Sequence, residues 1–264
     1  MTDTDDRPVL LLDADGNLFP SEEPAFEASV DVTNRFLASL GVETRYTAEQ
    51  LLSETTGKNF RSTARDLAAA NGVPMEPVPG AGALAPDDAP GDVLVSQHVL
   101  DDWVAEEKEV VGAYLGQVLQ ADPAVLGPLR RLATHYRFAV VSSSALSRLD
   151  SCFRATGMAD LFPVPLRFSA EDSLPAPASK PDPAVYRCAI EHLDVRPDQA
   201  VAIEDSVPGV QSAVAAGIPT IGNLTFVPPA GRPTRRTELL AAGATRIVES
   251  WEELAEHLLG SDPT

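Results

Sequence analysis

The sequence predicts an α/β protein whose open parallel sheet is interrupted, early in the chain, by an all-helical insert. Short apolar runs recur along the chain, and each is continuous rather than alternating, as in strands covered on both faces. Amphipathic helical stretches separate these runs. Between Leu40 and Arg137, however, helical patterns occur without a convincing buried strand. We therefore expect a core with right-handed crossovers and a helical cap domain.

The elements follow one another in a regular order. The predicted strands are Pro8 to Asp13, Arg137 to Ser142, Ala200 to Asp205, Pro219 to Gly222 and Thr245 to Val248. The predicted helices are Pro24 to Leu40, Leu51 to Asn71, Val99 to Leu119, Pro183 to Leu193 and Val207 to Ala216. Residues 73–92, rich in Pro, Gly and Ala, are a predicted loop. We assign residues 1–20 and 125–264 to the core and residues 21–124 to the helical cap.

Composition indicates a globular protein of the cytoplasm. The chain has 264 residues, 44% of them hydrophobic, which is enough for a sizeable core. Its formal net charge of -19 should repel nucleic acid and anionic membranes, and any anionic substrate needs a locally positive pocket. No signal peptide and no apolar run of roughly 20 residues is recognised. The two separated cysteines, Cys152 and Cys188, favour a reducing compartment.

Polar groups follow three predicted strands, at the edge where parallel sheets bind ligands. Asp13 and Asp15 follow the first, Ser142 ends the second, and Glu204 and Asp205 end the third. Such carboxylates would repel one another unless a hard divalent cation lay among them, and oxygen ligands favour Mg²⁺. Taken singly, an Asp-Gly turn or an acidic pair before a helix is also typical of ordinary structure.

Other residues suit phosphoryl transfer. A serine hydroxyl and the ammonium of Lys180 can hold phosphoryl oxygens. A carboxylate can act as nucleophile through an aspartyl-phosphate, and after a sharp turn at Gly16 the Asp15 carboxyl can serve as general acid and base. The plainer interpretations are a solvated loop lysine at Lys180 and a helix N-cap at Ser144.

These residues together resemble the haloacid dehalogenase superfamily, in its helical-cap, β-phosphoglucomutase-like branch. Four motifs stand in the family's order: Asp13-Ala14-Asp15-Gly16, FAVVSSS ending at Ser144, SKPDPAVY with Lys180, and IEDSVPGVQSAVAAG with Glu204 and Asp205. The set spans about the whole chain and is far more specific than any one motif. The resemblance implies a Rossmann-like parallel-sheet core with an inserted all-helical cap.

The resemblance also implies roles. Asp13 would attack the phosphoryl group, and Asp15 would protonate the leaving alcohol and then activate water. Ser142 and Lys180 would hold the phosphoryl group, with Lys180 also steadying Asp13. Ser143 is a candidate substrate contact.

The implied metal is Mg²⁺. It would contact Asp13, Asp205 and the backbone carbonyl of Asp15, with Glu204 as a candidate extra ligand. The family most often has Thr after Asp-x-Asp-Gly, where this chain has Asn17. Because Asn can still form hydrogen bonds, we expect a changed detail rather than a lost activity.

A short segment of the predicted cap, TTGKNFR, resembles the family's substrate-contacting loop. It offers Lys58, Asn59 and Arg61 for an anionic or polyhydroxylated leaving group. The same residues are equally typical of a solvated helix start.

The function expected from the whole is a Mg²⁺-dependent phosphatase for a small phosphorylated metabolite, such as a sugar phosphate. The alternative is a phosphomutase of the β-phosphoglucomutase type, whose members often carry a Lys-Asn-like pair where this chain has Ala145 and Leu146. A catalytically weak regulatory or interaction protein on the same fold is a further alternative. The intact set of acidic, serine and lysine residues argues against it.

Overall fold

The structure is a computed structural model that describes residues 7–55, 60–76 and 95–260, with side chains of residues 52–55 not described. It divides into two compact units. One comprises the residues up to Glu22 and those from Leu115 onward, and the other comprises Glu23–Tyr114. Among the described helices, none is long and apolar enough to cross a membrane.

The described part contains six strands and ten α-helices. The strands are β1 (Val9–Leu12), β2 (Arg137–Ser142), β3 (Arg167–Ser169), β4 (Ala200–Glu204), β5 (Thr220–Asn223) and β6 (Arg246–Val248). The helices are α1 (Glu22–Ser39), α2 (Ala48–Thr55), α3 (Phe60–Ala70), α4 (Gln97–Val118), α5 (Pro123–Leu132), α6 (Leu146–Ala155), α7 (Ala184–His192), α8 (Val207–Ala215), α9 (Arg232–Ala242) and α10 (Trp251–Leu259).

All six strands are parallel, in the order β3-β2-β1-β4-β5-β6. Strand β1 is flanked by β2 and β4, so the carboxyl ends of these three strands lie side by side at the point where the order reverses. Val9 and Leu11 pack with α7 and α8 in one buried cluster. Leu10 and Leu12 are equally buried and, by the alternation of a strand, face the other side of the sheet. The predicted α/β parallel-sheet fold is confirmed.

The predicted strands all occur, within two residues at each end, and β3 was missed. It has only three residues, RFS, and its first side chain is charged, so neither length nor hydropathy marks it as a strand. Arg167 is nevertheless buried, because its guanidinium donates to the Phe162 carbonyl at 2.7 Å and to Asp150 at 3.0 Å. Where one helix was predicted from Leu51 to Asn71, the structure describes two, α2 and α3.

The unit Glu23–Tyr114 is helical and has its own apolar core. Phe36 and Leu37 of α1, Phe60 and Leu67 of α3, and Leu100 of α4 are among its buried residues. These side chains recur at helical spacing, which explains why the sequence predicts helices here. The boundaries proposed at residues 20 and 125, and the role of this unit as a cap, stay a prediction. Most of the predicted loop, from residue 77 onward, lies outside the described residues.

Candidate active site

The turn after β1 holds the two aspartates of the first motif. Gly16 has a φ of +76°, a conformation that side-chain-bearing residues rarely adopt, and its N–H donates to the Phe19 carbonyl at 2.9 Å. A Cβ at this position would overlap the Asp205 carboxylate. The motif therefore requires glycine for two reasons: a backbone turn and the close approach of an acidic side chain from β4.

Lys180 joins two of the predicted site residues. Its ammonium donates to Asp13 Oδ1 at 2.5 Å, to Glu204 Oε1 at 2.6 Å and to the Val141 carbonyl at 2.8 Å. These contacts account for all three of its N–H bonds. Burial lowers the pKa of Lys180, but Asp13 and Glu204 outweigh it, so the net pKa is raised and the ammonium stays charged. We call Asp13, Lys180, Tyr186, Glu204 and Asp205 the Lys180 corner.

Tyr186 is a site residue that sequence reasoning missed. It is fully buried on α7, its hydroxyl donates to Glu204 Oε1 at 2.7 Å, and its ring centre lies 5.3 Å from the Lys180 ammonium. A signal for it was present in the sequence, because Tyr186 is the last residue of the quoted segment SKPDPAVY. On the other side of Glu204, a Cβ at Gly209 would overlap the carboxylate. Glu204 is thus held between α7 and the start of α8.

Three carboxylates of this corner can hold a metal ion. Asp13, Glu204 and Asp205 each offer an oxygen, all within 4.8 Å of one another, and all three residues are buried. Burial and mutual repulsion raise the pKa of Asp13 and of Asp205. Within the described part of the chain, the Asp205 carboxylate has no hydrogen bond or ion pair.

Charge decides which ion fits this cluster. When all three carboxylates are ionised, they carry three negative charges against the one positive charge of Lys180, which leaves an excess of two. An all-oxygen donor set with that excess suits a hard divalent cation. The predicted ligand Asp15 differs from these three, because its carboxylate is not part of the cluster and only its backbone carbonyl was expected to contact the metal.

The Asp15 side chain lies in a different environment. Oδ1 accepts hydrogen bonds from Ser21 and from Arg148, whose Nη2 lies 2.9 Å away, and Oδ2 accepts one from Ser144 at 2.6 Å. Burial raises the pKa of Asp15, but the Arg148 charge and these hydrogen bonds outweigh it and lower the pKa below its usual range. We call Asp15, Ser21, Ser144 and Arg148 the Arg148 corner. Ser21 and Arg148 were not predicted.

The serines after β2 have different positions. Ser142 is buried, accepts a hydrogen bond from the Ser144 N–H at 2.9 Å and lies 3.4 Å from Asp15 Oδ2. Ser143 is exposed. The interpretation of Ser144 as a helix N-cap is wrong, because α6 has Ala145 at that position and the Ser144 hydroxyl bonds to Asp15.

Asn17 has a structural explanation. Its Nδ2 donates to the carbonyls of Asp13 at 2.8 Å and Ile203 at 3.2 Å, and its Oδ1 accepts from Asn223 at 2.8 Å. The indole N–H of Trp251 donates to the Asn17 carbonyl at 2.9 Å. This fully buried amide therefore ties the loop after β1 to β4, to β5 and to the first residue of α10.

Of the three predicted residues of the helical segment, the structure describes one, Arg61. Lys58 and Asn59 lie outside the described residues. Arg61, in the first turn of α3, pairs with Asp101 of α4 at 2.5 Å, within the helical unit. Their predicted contact with substrate stays a prediction.

Two observations define the class of protein. One is a parallel α/β core interrupted by a helical unit, and the other is an aspartate pair after β1 of which Asp13 shares Lys180 with Glu204 at the end of β4. The family model of haloacid dehalogenase-like hydrolases matches residues 8–217. The chain belongs to this family, and the prediction of an enzyme of this kind is confirmed. Two solved structures named as putative β-phosphoglucomutases, from Thermotoga maritima and Bacteroides vulgatus, share this fold at TM-scores of 0.61 and 0.64, with 24% and 21% identity over 97% of this chain and over 100% and 89% of those chains.

One curated relative covers nearly the whole chain, and another covers a shorter part of it. The protein CbbY of Cereibacter sphaeroides is 30% identical over 263 residues, 97% of each chain. A phosphorylated carbohydrates phosphatase of Thermotoga maritima is 39% identical over 75 residues, which is 28% of this chain and 32% of that protein. A CbbY mutant from Rhodobacter sphaeroides, solved with xylulose-1,5-bisphosphate, has the same fold at a TM-score of 0.66, with 23% identity over 94% of this chain and 96% of that one.

Proposed function

We propose that the chain is a Mg²⁺-dependent phosphatase that hydrolyses a small phosphorylated metabolite of the sugar-phosphate type through an aspartyl-phosphate. One observation carries the proposal: Asp13 is held by Lys180 among metal-competent carboxylates, whereas Asp15, two residues on, is held apart by other donors. The name of the carbohydrate phosphatase, and the xylulose-1,5-bisphosphate in the solved CbbY mutant, support the substrate class. The free thiols Cys152 and Cys188 are consistent with the cytoplasm.

The first step forms a bond from Asp13 to phosphorus. Lys180 occupies Oδ1, so Oδ2 is the attacking oxygen. The bond from phosphorus to the leaving oxygen breaks, and Asp15 gives that oxygen its proton. The approaching phosphoryl anion favours the protonated form of Asp15, because a nearby negative charge raises the pKa of a carboxyl group.

The second step hydrolyses the aspartyl-phosphate. Asp15, now ionised and stabilised by Arg148 and Ser144, takes a proton from water while the water oxygen attacks phosphorus. The bond from Asp13 to phosphorus breaks, and inorganic phosphate leaves. Mg²⁺ held by Asp13, Asp205 and Glu204 would neutralise the phosphoryl charge. The Ser142 hydroxyl, beside Asp15, is placed to bind a phosphoryl oxygen.

Phosphate release tests the proposal. The unmodified protein is incubated with p-nitrophenyl phosphate and a panel of sugar phosphates, with Mg²⁺ and with EDTA. We expect release with Mg²⁺ only. An absence of Mg²⁺-dependent release from every substrate would overturn the phosphatase, and an isomerised sugar phosphate seen by NMR would identify a mutase instead.

A further inference from the structure

The residue that precedes α6 does not cap this helix. The N–H groups in the first turn of a helix lack partners inside the helix, so a group outside it must accept their hydrogen bonds. The residue before α6 is Ala145, whose side chain forms no capping hydrogen bond. Arg148 is the third residue of α6, so it lies in the turn that a missing cap would destabilise.

The cap comes instead from the loop after β3. Asp172 Oδ2 accepts a hydrogen bond from the N–H of Leu146, the first residue of α6, at 2.7 Å. The two residues are 26 positions apart, so this is a tertiary contact. The negative charge of Asp172 also suits its place, because the N-terminal end of a helix is its positive end. Asp172 therefore stabilises the turn of α6 that carries Arg148.

The loop that carries Asp172 is itself held by the sheet. The hydroxyl of Ser169, a fully buried residue at the end of β3, accepts the N–H groups of Glu171 at 3.1 Å and of Asp172 at 3.0 Å. The Ala170 N–H donates to the carbonyl of Ser142, at the end of β2, at 2.9 Å. The position of Asp172 is thus set by β3 and by β2, whose carboxyl end forms part of the candidate site.

A series of contacts leads from Asp172 to the proton donor of the proposed reaction. Arg148 Nη2 donates to Asp15 Oδ1 at 2.9 Å, and the Ser144 hydroxyl donates to Asp15 Oδ2 at 2.6 Å. Ser144 lies two residues before α6, and Arg148 lies in its first turn. These two donors therefore stand on either side of the Leu146 N–H that Asp172 accepts, and a change at this end of α6 affects both.

We propose that Asp172 is a positioning residue for the first chemical step. By capping α6 it holds Arg148 and Ser144 against Asp15, and so keeps Asp15 directed at the leaving oxygen. The inference rests on the proposed function. Because the effect of Asp172 passes through Asp15, it concerns the transfer of a proton to the leaving oxygen, and it grows as the leaving group becomes more basic.

The dependence on the leaving group tests this inference. The substrates are p-nitrophenyl phosphate, phenyl phosphate and benzyl phosphate, which are similar in shape but release alcohols of increasing basicity. The measured quantity is kcat/KM with Mg²⁺, because it reports the steps up to release of the alcohol and not the later hydrolysis of the aspartyl-phosphate.

Three variants are compared with the unmodified protein. Asp172→Ala removes the acceptor of the Leu146 N–H, and Asp172→Asn keeps an acceptor oxygen. Asp172 is exposed, so neither change opens a cavity in the core. The matched control is Asp122→Ala, because Asp122 caps α5 through the Ala124 N–H at 2.8 Å and α5 carries none of the site residues.

We expect the loss of kcat/KM in Asp172→Ala to be less than about twofold with p-nitrophenyl phosphate and on the order of tenfold with benzyl phosphate, since only the more basic alcohol needs a proton as it leaves. Asp172→Asn should keep most of the activity with all three esters, because asparagine also caps helices. Asp122→Ala should show no dependence on the leaving group. Thermal unfolding checks that the two alanine variants lose similar stability.

Two results would overturn the inference. One is an Asp172→Ala variant whose kcat/KM falls by the same factor with all three esters, or does not fall, since the cap would then serve only the fold. The other is the same dependence on the leaving group in Asp122→Ala, since loss of any helix cap would then produce it. Failure of the proposed function is distinguishable from both, because the unmodified protein then shows no Mg²⁺-dependent hydrolysis of any ester.

Discussion

Asp13 and Asp15 are two residues apart, yet their surroundings are opposite. In the Lys180 corner, one ammonium is shared between two carboxylates, a third lies nearby, and the pKa of Asp13 is raised by burial. In the Arg148 corner, three side chains donate to one carboxylate, and the pKa of Asp15 is lowered although burial opposes this. The comparison teaches that the neighbours brought by β2, β4 and α6 set the opposite pKa shifts of the two aspartates, whose spacing alone does not distinguish them.

The largest effects should separate the two aspartates. Asp13→Asn removes the proposed nucleophile, so turnover should fall on the order of 10⁴-fold or more, with no burst of p-nitrophenol. Asp15→Asn should also lose steady-state turnover but release about one p-nitrophenol per chain, because this leaving group needs no proton. Stopped-flow absorbance measures both.

A matched control for these two variants is Asp160→Asn, which changes an exposed aspartate. It should keep the activity of the unmodified protein. Equal bursts, or no burst, in both Asp13→Asn and Asp15→Asn would contradict the division of roles between the corners.

The next effect concerns Lys180. Lys180→Met keeps most of the side-chain volume but leaves Asp13 and Glu204 without their shared cation. Breaking such a buried pair costs about 3–5 kcal/mol in free energy of unfolding, and activity should fall by at least about 100-fold. Urea denaturation and phosphate release measure the two quantities. Arg35→Met, which breaks exposed pairs with Asp31 and Glu106, should cost less than about 1 kcal/mol.

Tyr186 offers a smaller test of the same corner. Tyr186→Phe keeps the ring beside Lys180 and removes only the hydrogen bond to Glu204, so kcat should fall about tenfold with little change in KM. Tyr136→Phe is the control, since Tyr136 donates to the Leu258 carbonyl, in α10. If both variants lose equal stability and neither loses kcat, Tyr186 only supports the fold.

The smallest expected effect belongs to Asn17, which lies beneath both corners. Asn17→Thr supplies one hydroxyl in place of an amide that serves two carbonyls and Asn223. We expect a loss of about 1–2 kcal/mol in free energy of unfolding and a change in activity of only a few-fold. Thermal unfolding and steady-state kinetics measure these, and an unchanged unfolding midpoint would contradict the assigned hydrogen bonds.

Much of the core was predictable because parallel strands are long enough to leave a continuous apolar signal. The run FAVVS marks β2, and AVAIE marks β4, since both strands are covered on both faces. Strand β3 has no such continuous apolar run. Its first residue, Arg167, is charged and would be predicted to be exposed, although it is buried. Its burial depends on Asp150 and the Phe162 carbonyl, which only the folded chain brings near.

The candidate site divides in the same way. Most of the predicted site residues follow strands or lie in short motifs, so their order along the chain predicts that they lie at a common edge of the sheet. These residues are Asp13, Ser142, Lys180 and Asp205. Arg148 could not be predicted in this way, because it lies inside an ordinary amphipathic helix, α6. In addition, its contact with Asp15 joins residues that are 133 positions apart. The prediction for Ser144 was wrong for a related reason: a serine just before a helix often caps it, and here the Asp15 carboxylate, in the turn after β1, accepts the hydrogen bond of the hydroxyl instead.

The bond from Trp251 to Asn17 bears on the order in which the protein is made. The loop after β1 is synthesised before α10, but the Asn17 carbonyl in this loop receives its indole donor only from α10, 234 residues later. Because N-terminal segments emerge and fold first, a nascent chain carries Asp13 and Asp15 long before their support is complete. Hydrolytic competence should therefore arise late in synthesis, when the last helix docks, rather than gradually as the strands accumulate.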